Sequence, residues 1–504
     1  MPQLFRLPAQ AKPARPLSLS ALPALRTLPP LAVLALLAAC AGQPGQPSPA
    51  AAQPAPPPAG AAILAAPDGF AAYVLMGESG AVARVVLDAP ACPAITVDGA
   101  SRPMALRAAP ATLPLRPTAG KGDAKPSAFP LRVCEADLPP AAASASVLGR
   151  ALPLPRAEPQ RIVVIGDTGC RLKKSGNEYQ DCNDPQAYPF ATVAAAAAAW
   201  RPDLVVHVGD YHYRETACPA GKAGCAGSPY GYGWDAWRED LFRPAAALLS
   251  AAPWVVARGN HESCERAGQG WWRLLDPRPL RSGRDCIDPA SDSAGDYSEP
   301  YAVSLGGNAQ LLVADTAATT WKGLKPGDTG YEQYRATYRR LDALSQQADW
   351  NIGVMHHPIL GVGAELKPNG QLDWHLGDLG LQQSFGSLNP QLLPARVQAL
   401  LSGHVHLWQQ LSFSSPHPTQ FVAGFSGTAE DMAPLPARLP AGVSPAPGAV
   451  ADQFSTWIGG FGFMAMERGG PGEWTVTVHD RHGAVKNRCQ ISGRRSVCSV
   501  TQVQ

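Results

Sequence analysis

The spacing of hydrophobic residues changes near residue 156 of this chain. Between residues 62 and 155, apolar side chains form short alternating runs such as 72–76 and 83–87, and turn residues separate these runs. This pattern predicts a small β-sandwich-like domain of antiparallel strands. From residue 161 onward, continuous apolar runs alternate with helix-forming segments, which predicts an α/β domain over residues 156–504.

The predicted strands of the second region are apolar along their whole length, as expected in a sheet that is covered on both faces. They lie at 161–165, 204–208, 254–257, 352–355 and 397–401, and helices are predicted at 190–200, 235–249 and 331–347. Further β runs at 421–423, 461–466 and 474–478 indicate a second sheet. The sequence therefore predicts an α/β fold with two sheets.

Positive and negative charges are nearly balanced. The 504 residues include 42 Lys and Arg against 40 Asp and Glu, with a formal net charge of +2. Proteins that bind nucleic acid or membrane surfaces usually carry a clear basic excess. We therefore expect no nucleic-acid partner, and the composition predicts no particular oligomeric state.

The N-terminus has the features of an export signal. A basic stretch from Arg6 to Arg26 precedes an apolar run, 31–39, which is too short to span a bilayer as a helix. The run ends in Leu37-Ala38-Ala39-Cys40, which resembles the processing site of bacterial lipoproteins. We expect residues 1–40 to be a lipoprotein-type signal peptide and Cys40 to carry a lipid anchor. An ordinary signal peptide cut near Ala39 is the alternative.

A stretch rich in Pro and Ala, residues 41–61, follows the predicted signal and is expected to be a disordered tether. Later in the sequence, the apolar runs are too short to cross a membrane. These features predict an exported protein, located in the periplasm or attached to the outer membrane of a Gram-negative-type bacterium.

The cysteine content supports export. Ten of the eleven cysteines remain after Cys40, and their order favours five sequence-local disulfides. The predicted pairs are Cys92/Cys134, Cys170/Cys182, Cys218/Cys225, Cys264/Cys286 and Cys489/Cys498. Sequence alone leaves other pairings open, and a zinc site is a weaker alternative because the chain contains no Cys-x-x-Cys pair.

Side chains that can bind metal ions follow the predicted strands. They occur in five motifs: Gly166-Asp167-Thr168-Gly169, Gly209-Asp210-Tyr211-His212-Tyr213, Gly259-Asn260-His261-Glu262, His356-His357-Pro358 and Gly403-His404-Val405-His406. In α/β sheets, ligands collect beyond the carboxyl ends of the strands. One Gly-Asp pair is usually only a turn or a helix cap. Five such motifs in one domain indicate a shared site.

The donor types suit two cations that are held side by side. Asp210 has two oxygens and can bridge both ions, while Asp167 adds a further anionic oxygen and Asn260 a neutral carbonyl. His404 and His406 are two residues apart, so both face one side of an extended segment and can serve the two ions separately.

His356 and His357 compete for one ligand position. We favour His356 because it lies closer to the end of the predicted strand, which leaves His357 to face substrate or to pack.

The order Gly-Asp, Gly-Asp, Gly-Asn-His-Glu, His and Gly-His-x-His resembles the calcineurin-like metallophosphoesterases over about residues 160 to 410. Most members of that family have Asp-x-His in the first motif, but Gly169 stands at the third place here. The second motif contains Tyr213 after Asp210, which is similar to the purple acid phosphatase branch, where a tyrosinate binds a ferric ion. The resemblance implies a four-layer αββα sandwich of two mixed sheets, with Fe(3+) paired with Fe(2+), Zn(2+) or Mn(2+).

The resemblance also implies a set of ligands. Asp167, Tyr213 and His406 are expected to hold the first metal ion, Asn260, His356 and His404 the second, with Asp210 as the bridge. Tyr213 has an alternative role as an aromatic residue that packs beneath the site.

His261 is expected to point into the cleft, where the corresponding residue of the family contacts the substrate phosphate and assists the leaving group. Glu262 either orients His261 or caps the next segment. Five other side chains are assigned either to the pocket or, more simply, to structural roles: His212, His375, Arg258, Trp271 and Trp272.

The leading hypothesis is an exported hydrolase that cleaves phosphate monoesters by attack of a hydroxide activated by two metal ions. A phosphodiesterase or nucleotidase on the same core is the first alternative. The second is a surface lipoprotein whose β domain binds a polymer or a protein while its metal core is degenerate. The loops at 214–234, 263–330 and 361–390 are expected to decide the substrate.

Overall fold

The computed structural model describes residues 69–116 and 121–503. The predicted signal peptide, Cys40 and the predicted tether lie outside these residues, so they remain predictions. The described residues form one compact unit. Among the described helices, none has both the length and the apolar character that a bilayer span requires.

The first described part of the chain, up to Ala151, consists almost entirely of strands. They are β1 (Phe70–Gly77), β2 (Gly80–Leu87), β3 (Ala94–Val97), β4 (Ala100–Pro103), β5 (Ala105–Ala108), β6 (Ala111–Leu113), β7 (Ser127–Phe129), β8 (Arg132–Leu138), β9 (Ala145–Val147) and β10 (Arg150–Ala151). A four-stranded sheet, β10-β9-β3-β4, packs on β1, β2 and β8. Val74, Val85, Ile95 and Val147 fill the core between them.

The rest of the chain alternates strands and helices. The strands are β11 (Arg161–Ile165), β12 (Leu172–Lys173), β13 (Glu178–Tyr179), β14 (Leu204–His207), β15 (Trp254–Val256), β16 (Tyr301–Gly306), β17 (Ala309–Ala314), β18 (Trp350–Met355), β19 (Val362–Leu366), β20 (Leu372–Leu376), β21 (Val397–Ser402), β22 (Trp408–Phe413), β23 (Thr419–Ala423), β24 (Ala451–Trp457), β25 (Gly462–Arg468), β26 (Glu473–Asp480), β27 (Val485–Ser492) and β28 (Arg495–Cys498). The helices are α1 (Phe190–Ala199), α2 (Trp234–Trp237), α3 (Ala246–Ala251), α4 (Gly268–Leu274), α5 (Asp292–Gly295), α6 (Thr329–Ser345) and α7 (Leu379–Gly386).

Two large mixed sheets form the centre of the molecule. The first has the order β28-β27-β26-β25-β11-β14-β15-β1-β2-β8-β5, and the second has the order β16-β17-β18-β21-β23-β22-β24. Each sheet has a parallel centre of four strands. In the first sheet these are β11, β14, β15 and β1, and in the second sheet they are β17, β18, β21 and β23. The central strands are apolar on both faces, because both faces are covered.

The sheets and helices stack in four layers. The two sheets pack face to face through a core that includes Val164, Val206, Leu311 and Val354. Helices α1, α3 and α4 cover the outer face of the first sheet, and α6 and α7 cover that of the second. This arrangement confirms the predicted αββα sandwich. In α6, the buried residues recur at helical spacing, which places one apolar stripe on the sheet.

The sequence predicts one continuous helix at 235–249, and this prediction is wrong because the helix is interrupted. The structure has two short helices, α2 and α3, joined by a π-helical turn at Arg238–Phe242. Pro244 follows this turn and lacks the N–H that a continuing helix needs. The interruption matters because Asp240, inside the turn, contacts the site described below.

The N-terminal strands continue the first large sheet, although the sequence predicts a separate domain for residues 62–155. Strand β1 pairs in parallel with β15 at Leu75 and Trp254, and β2, β8 and β5 extend the sheet beyond it. The β character predicted for this segment is present. The chain thus adds a small sandwich that shares one of its sheets with the α/β core.

Polar side chains of the N-terminal strands also bind the carboxyl end of α4. Tyr73 Oη donates to the Leu274 carbonyl at 2.6 Å, and Arg84 Nη1 donates to the same oxygen at 2.9 Å. The buried Arg107 donates through Nε to the Arg273 carbonyl at 3.0 Å and through Nη2 to the Asp276 carbonyl at 3.1 Å. Carbonyls left free at a helix end are thereby satisfied by cations, which also suit the helix dipole.

All five predicted disulfides are confirmed. Cys92–Cys134, Cys170–Cys182, Cys218–Cys225, Cys264–Cys286 and Cys489–Cys498 are bonded. Local pairing of this kind is typical of proteins that fold in an oxidising compartment.

Removal of the Arg107 guanidinium is expected to destabilise the fold. Arg107→Met keeps the apolar stem but leaves buried carbonyls without donors, so we expect the free energy of unfolding to fall by about 3 kcal/mol. Urea unfolding followed by tryptophan fluorescence measures this change. Arg281→Met is the control because Arg281 is exposed, and its effect should stay below about 0.5 kcal/mol. Equal midpoints for both variants would contradict the proposed role of Arg107.

Candidate metal centre

The predicted ligands come together where the parallel strands of both sheets end. Asp167, Asp210 and Asn260 lie just beyond β11, β14 and β15 of the first sheet. His356 and His404 lie just beyond β18 and β21 of the second sheet, and His406 precedes β22. Since the two sheets face each other, these strand ends border one cleft.

Three of these residues have backbone conformations that are uncommon outside glycine. The φ angles are 53° for Asp167, 57° for Asp210 and 70° for His404. Non-glycine residues in the left-handed region cost free energy and are concentrated at functional sites. The surrounding structure therefore holds these side chains in place against a local preference.

The first group of donors surrounds the Tyr213 hydroxyl. Its oxygen lies 2.9 Å from Asp167 Oδ1, 2.8 Å from Asp210 Oδ2 and 2.9 Å from His406 Nε2. Tyr213 is thus inside the cluster, and not beneath it as the alternative role would require.

The second group surrounds His356. Its Nε2 lies 3.1 Å from Asp210 Oδ2 and 3.1 Å from Asn260 Oδ1. His404 Nδ1 lies 3.0 Å from the same Asn260 oxygen. Asp210 Oδ2 therefore belongs to both groups.

His357 forms a cluster of possible ligand atoms with His356 and His404, but its hydrogen-bond partner is a threonine. Its Nδ1 is 3.2 Å from Thr316 Oγ1, and its ring packs on His404 at a centroid distance of 4.2 Å. Of the two neighbouring histidines, His356 has the better geometry for a ligand.

The tautomer of His356 follows from a backbone carbonyl, which can only accept. Its Nδ1 lies 2.9 Å from the Val208 carbonyl and therefore carries a proton, so Nε2 is the atom that faces the oxygens of its group. His406 Nδ1 lies between an acceptor, the Ala429 carbonyl at 3.1 Å, and a donor, Arg171 Nη2 at 2.9 Å. A contact between Nδ1 and a carbonyl is the usual way in which proteins orient metal-binding imidazoles.

The two groups contain more lone pairs than protons. The Tyr213 hydroxyl has one proton, which can satisfy only one of the two carboxylate oxygens beside it. His356 Nε2 likewise faces two oxygen acceptors, Asp210 Oδ2 and Asn260 Oδ1, and a proton on it can satisfy only one of them. Oxygen and imidazole donors that converge in this way are repulsive alone but suit cations, so the donor chemistry fits two metal ions.

The ionisation of the isolated groups agrees with this conclusion. Burial and the carboxylates of Asp167 and Asp210 hold the pKa of Tyr213 well above its ordinary value. Burial lowers the pKa of His356, but the Asp210 carboxylate outweighs it and raises the pKa to about 9. In both cases the negative charge attracts a positive charge to the site, either a proton or a cation.

A cavity of about 910 Å³ opens over both donor groups. Its lining includes Asp210, Tyr213, Asn260, His261, His404 and His406. A volume of this size accommodates a small organic molecule together with bound ions.

The chain was compared with known proteins. Residues 160–407 match the sequence profile of the calcineurin-like phosphoesterases. A curated relative, "Probable purple acid phosphatase 20" of Arabidopsis thaliana, is 21% identical over 274 residues. This match covers 52% of the chain and 58% of the relative, so the chain spans little more than half the length of that protein.

Two solved structures show likeness at low identity. Purple acid phosphatase PPD1 from yellow lupin (Lupinus luteus) seeds is 15% identical, with a TM-score of 0.49, covering 86% of this chain and 74% of the lupin chain. The structure titled PhoD is 13% identical, with a TM-score of 0.48, covering 86% of this chain and 94% of that chain.

Residues 160–407 form a calcineurin-like phosphoesterase domain. The family is one of metal-dependent phosphoric ester hydrolases, and the profile covers every ligand motif predicted from the sequence. The order of the motifs along the chain was therefore a sound basis for the assignment.

His261 of this phosphoesterase lies in a polar pair that the sequence did not predict. Its Nδ1 is 3.3 Å from Glu215 Oε1 and 2.6 Å from Arg266 Nη2. Arg266 Nε also donates to Glu215 Oε1 at 2.5 Å. Burial and the adjacent Arg266 guanidinium lower the pKa of His261 to about 4, so its ring is neutral at neutral pH.

Glu262 has one of the two roles that the sequence left open, since its side chain caps the turn at Asn260–Glu262 by accepting the Gly259 N–H. Its carboxylate accepts backbone N–H groups of Tyr211 at 2.9 Å, Asp210 at 3.1 Å and Gly259 at 3.1 Å. It thereby ties the loop after β14 to the loop after β15. Its contribution is to fix the position of Asp210.

Asp240 holds the backbone at Tyr213 in a similar way. Its Oδ2 accepts the Tyr213 N–H at 2.8 Å, and its Oδ1 accepts the Cys170 N–H at 3.0 Å. A Cβ at Gly169 would lie 2.7 Å from the Tyr213 nitrogen, so the first motif has no space for an imidazole. The packing around Gly169 therefore excludes a histidine there, and Tyr213 supplies a donor from the second motif instead.

The remaining candidates separate into structural residues and one cavity residue. His212, Arg258, Trp271 and Trp272 are buried, and Arg258 donates to the Glu262 carbonyl at 2.8 Å. His375 lines the cavity from β20. The sequence did not indicate Glu215 or Asp240, because their partners are far away in the chain. Arg266 lies only five residues after His261, but it follows the motif without a pattern of its own.

Substitution of the shared carboxylate tests the arrangement. Asp210→Asn removes the anionic charge that both donor groups use, so we expect bound metal to fall from two ions per chain to one or fewer. Elemental analysis after dialysis against limiting divalent metal measures the ratio. Glu365→Gln is the matched control, because Glu365 lines the same cavity but lies outside both groups. An unchanged ratio in Asp210→Asn would show that the groups do not share this residue.

Proposed function

We propose that this protein is an exported phosphoesterase that uses two metal ions to hydrolyse phosphate monoesters. The observation that carries the proposal is the position of Asp210 Oδ2, 2.8 Å from the Tyr213 hydroxyl and 3.1 Å from His356 Nε2. One oxygen that serves two donor groups suits a pair of ions held about 3.5–4 Å apart. Five disulfides support export, while the lipid anchor at Cys40 stays a prediction.

The charges of the two groups favour unlike ions. Besides the shared Asp210, the first group contains Asp167, the Tyr213 phenol and His406, whereas the second contains only the neutral Asn260, His356 and His404. A trivalent ion is better compensated in the first group, and a divalent ion in the second. We infer Fe(3+) in the first position, with Fe(2+), Zn(2+) or Mn(2+) in the second.

Bound ions would supply Lewis-acid polarisation of the phosphate oxygens and a water of lowered pKa. The side chains of the protein have separate tasks. His261, held by Glu215 and Arg266, presents a neutral ring to the cavity, which can donate one N–H to a phosphate or leaving-group oxygen. Glu262 and Asp240 keep the ligand loops fixed, which limits reorganisation during the reaction.

The charge of two bound cations favours monoesters. A monoester can carry two negative charges at neutral pH and a diester carries one, so a pair of cations attracts the monoester more strongly. The cations of the cavity lining add little to this preference, because Arg171, Lys173 and Arg266 are each paired with a carboxylate. The phosphodiesterase alternative predicts the opposite preference.

A direct assay tests the proposal. We expect metal-loaded protein to hydrolyse 4-nitrophenyl phosphate faster than bis(4-nitrophenyl) phosphate, and to lose activity when a chelator removes the metal. Faster cleavage of the diester would favour the phosphodiesterase alternative. Absence of both activities in protein with two bound ions would overturn the proposal and favour a binding lipoprotein.

A histidine variant separates catalysis from metal binding within the same assay. His261→Asn should lower kcat roughly 100-fold while the metal content stays unchanged, because His261 acts on the substrate. His375→Asn is the matched control, since His375 is a histidine of the same cavity that lies away from the ligands.

The visible spectrum tests the role of Tyr213. A tyrosinate bound to Fe(3+) gives a charge-transfer band, so iron-loaded protein should be coloured and Tyr213→Phe should lose the band. Tyr211→Phe is the control, because Tyr211 lies in the same loop but donates to the Ala257 carbonyl at 2.8 Å. A band that persists in Tyr213→Phe at equal iron content would assign the colour to another ligand.

A further inference from the structure

An exposed tryptophan stands in the wall of the candidate site. Trp321 is 72% exposed, yet it lines the same cavity as Asp210, His261 and His404. Tyr213 of the same lining is buried among the donors. The Lys322 ammonium lies 5.5 Å from the centre of the Trp321 ring and can cover one face at most, which leaves the other face for a ligand. A large apolar ring that stays exposed does not gain the free energy of burial, so a ligand that covers it is stabilised.

The backbone that carries Trp321 is fixed to α7. Thr319 Oγ1 donates to Asp378 Oδ1 at 2.7 Å, and the Gly380 N–H donates to the Thr320 carbonyl at 3.1 Å. Bonds on the residues just before Trp321 therefore hold the turn against the start of the helix. The indole is presented by an anchored segment, so little ordering is needed when a ligand covers it.

The acidic hairpin β19–β20 limits where a phosphate group lies in the cavity. Its exposed Glu365 and Asp373 line the wall and repel an anion, whereas the cations of the lining are each paired with a carboxylate. Under the proposed function the phosphate lies at the two donor groups. The alcohol part of the ester is then left to the remaining wall of the cavity, which includes Trp321.

We propose that Trp321 stacks on a flat aromatic group in the alcohol part of the substrate, so that nucleoside monophosphates are the preferred substrate class. This inference rests on the proposed function and extends it from the phosphate to the rest of the substrate. Base–aromatic stacking changes binding by roughly five- to hundredfold per base, which is enough to set a preference. The cavity of about 910 Å³ has space for a nucleoside beside the phosphate.

Two substrates with the same leaving group test the proposal. Adenosine 5′-monophosphate and ribose 5-phosphate both release a primary alcohol, and they differ mainly in the base. We expect wild-type protein to have a kcat/KM about tenfold or more higher for the nucleotide. The difference should lie mainly in KM, because stacking binds substrate and transition state alike.

Two substitutions of Trp321 separate flat stacking from apolar contact. Trp321→Leu should abolish the preference for the nucleotide and leave ribose 5-phosphate unchanged, whereas Trp321→Phe should retain most of it. Leu366→Ala is the control, because Leu366 is 66% exposed on the neighbouring hairpin but does not line this cavity. Because Trp321 is exposed, we expect its substitution to change the stability of the fold little.

The outcomes distinguish this inference from the proposed function. A wild-type preference that survives Trp321→Leu, or equal kcat/KM for both substrates, would overturn the stacking proposal while leaving a phosphomonoesterase. Hydrolysis of neither compound, nor of aryl phosphates, by metal-loaded protein would instead overturn the proposed function. Loss of the preference in Trp321→Leu alone supports the assignment.

Discussion

The site depends on one oxygen atom, Oδ2 of Asp210, which lies within hydrogen-bond distance of side chains from both donor groups. Several features act to fix it. Glu262 accepts the backbone N–H of Asp210, and the φ of 57° directs the carboxylate into the cleft. A Cβ on Gly259 would lie 2.0 Å from the other carboxylate oxygen, so the neighbouring loop can approach only as glycine. The strain at Asp210 is therefore supported by contacts from the adjacent strand end.

The two sheets place the donors, and the N-terminal strands stabilise the loop that follows them. Parallel pairing aligns the ends of β11, β14 and β15, while the facing sheet aligns those of β18 and β21. Helix α4 follows the loop that carries His261, and Arg107 binds the carbonyls at its far end. The Cys264–Cys286 disulfide constrains the same loop between these points. The N-terminal extension of the sheet thus supports the catalytic half without entering the cavity.

The sequence predicted the two-sheet fold and which donors come together, because strand ends are visible as apolar runs that stop at Gly-Asp, Gly-Asn or His. It did not predict the residues that hold those donors. Glu215 is far from both His261 and Arg266 in sequence, and only the fold brings it to them. Asp240 acts through a π-helical turn that a helical pattern conceals. The pairing of β1 with β15 could not be predicted either, since the sequence of a strand does not show which strand lies beside it.

The excess of lone pairs has a consequence for stability. Without cations, Tyr213, Asp167 and Asp210 place oxygen acceptors against one another in a buried space, which costs free energy. The cost is local, because the apolar cores on both sides of each sheet and the disulfides do not involve the donors. We therefore infer that the fold forms without metal, while ions relieve the repulsion and order the strand ends. The large core tolerates a site that is unfavourable on its own.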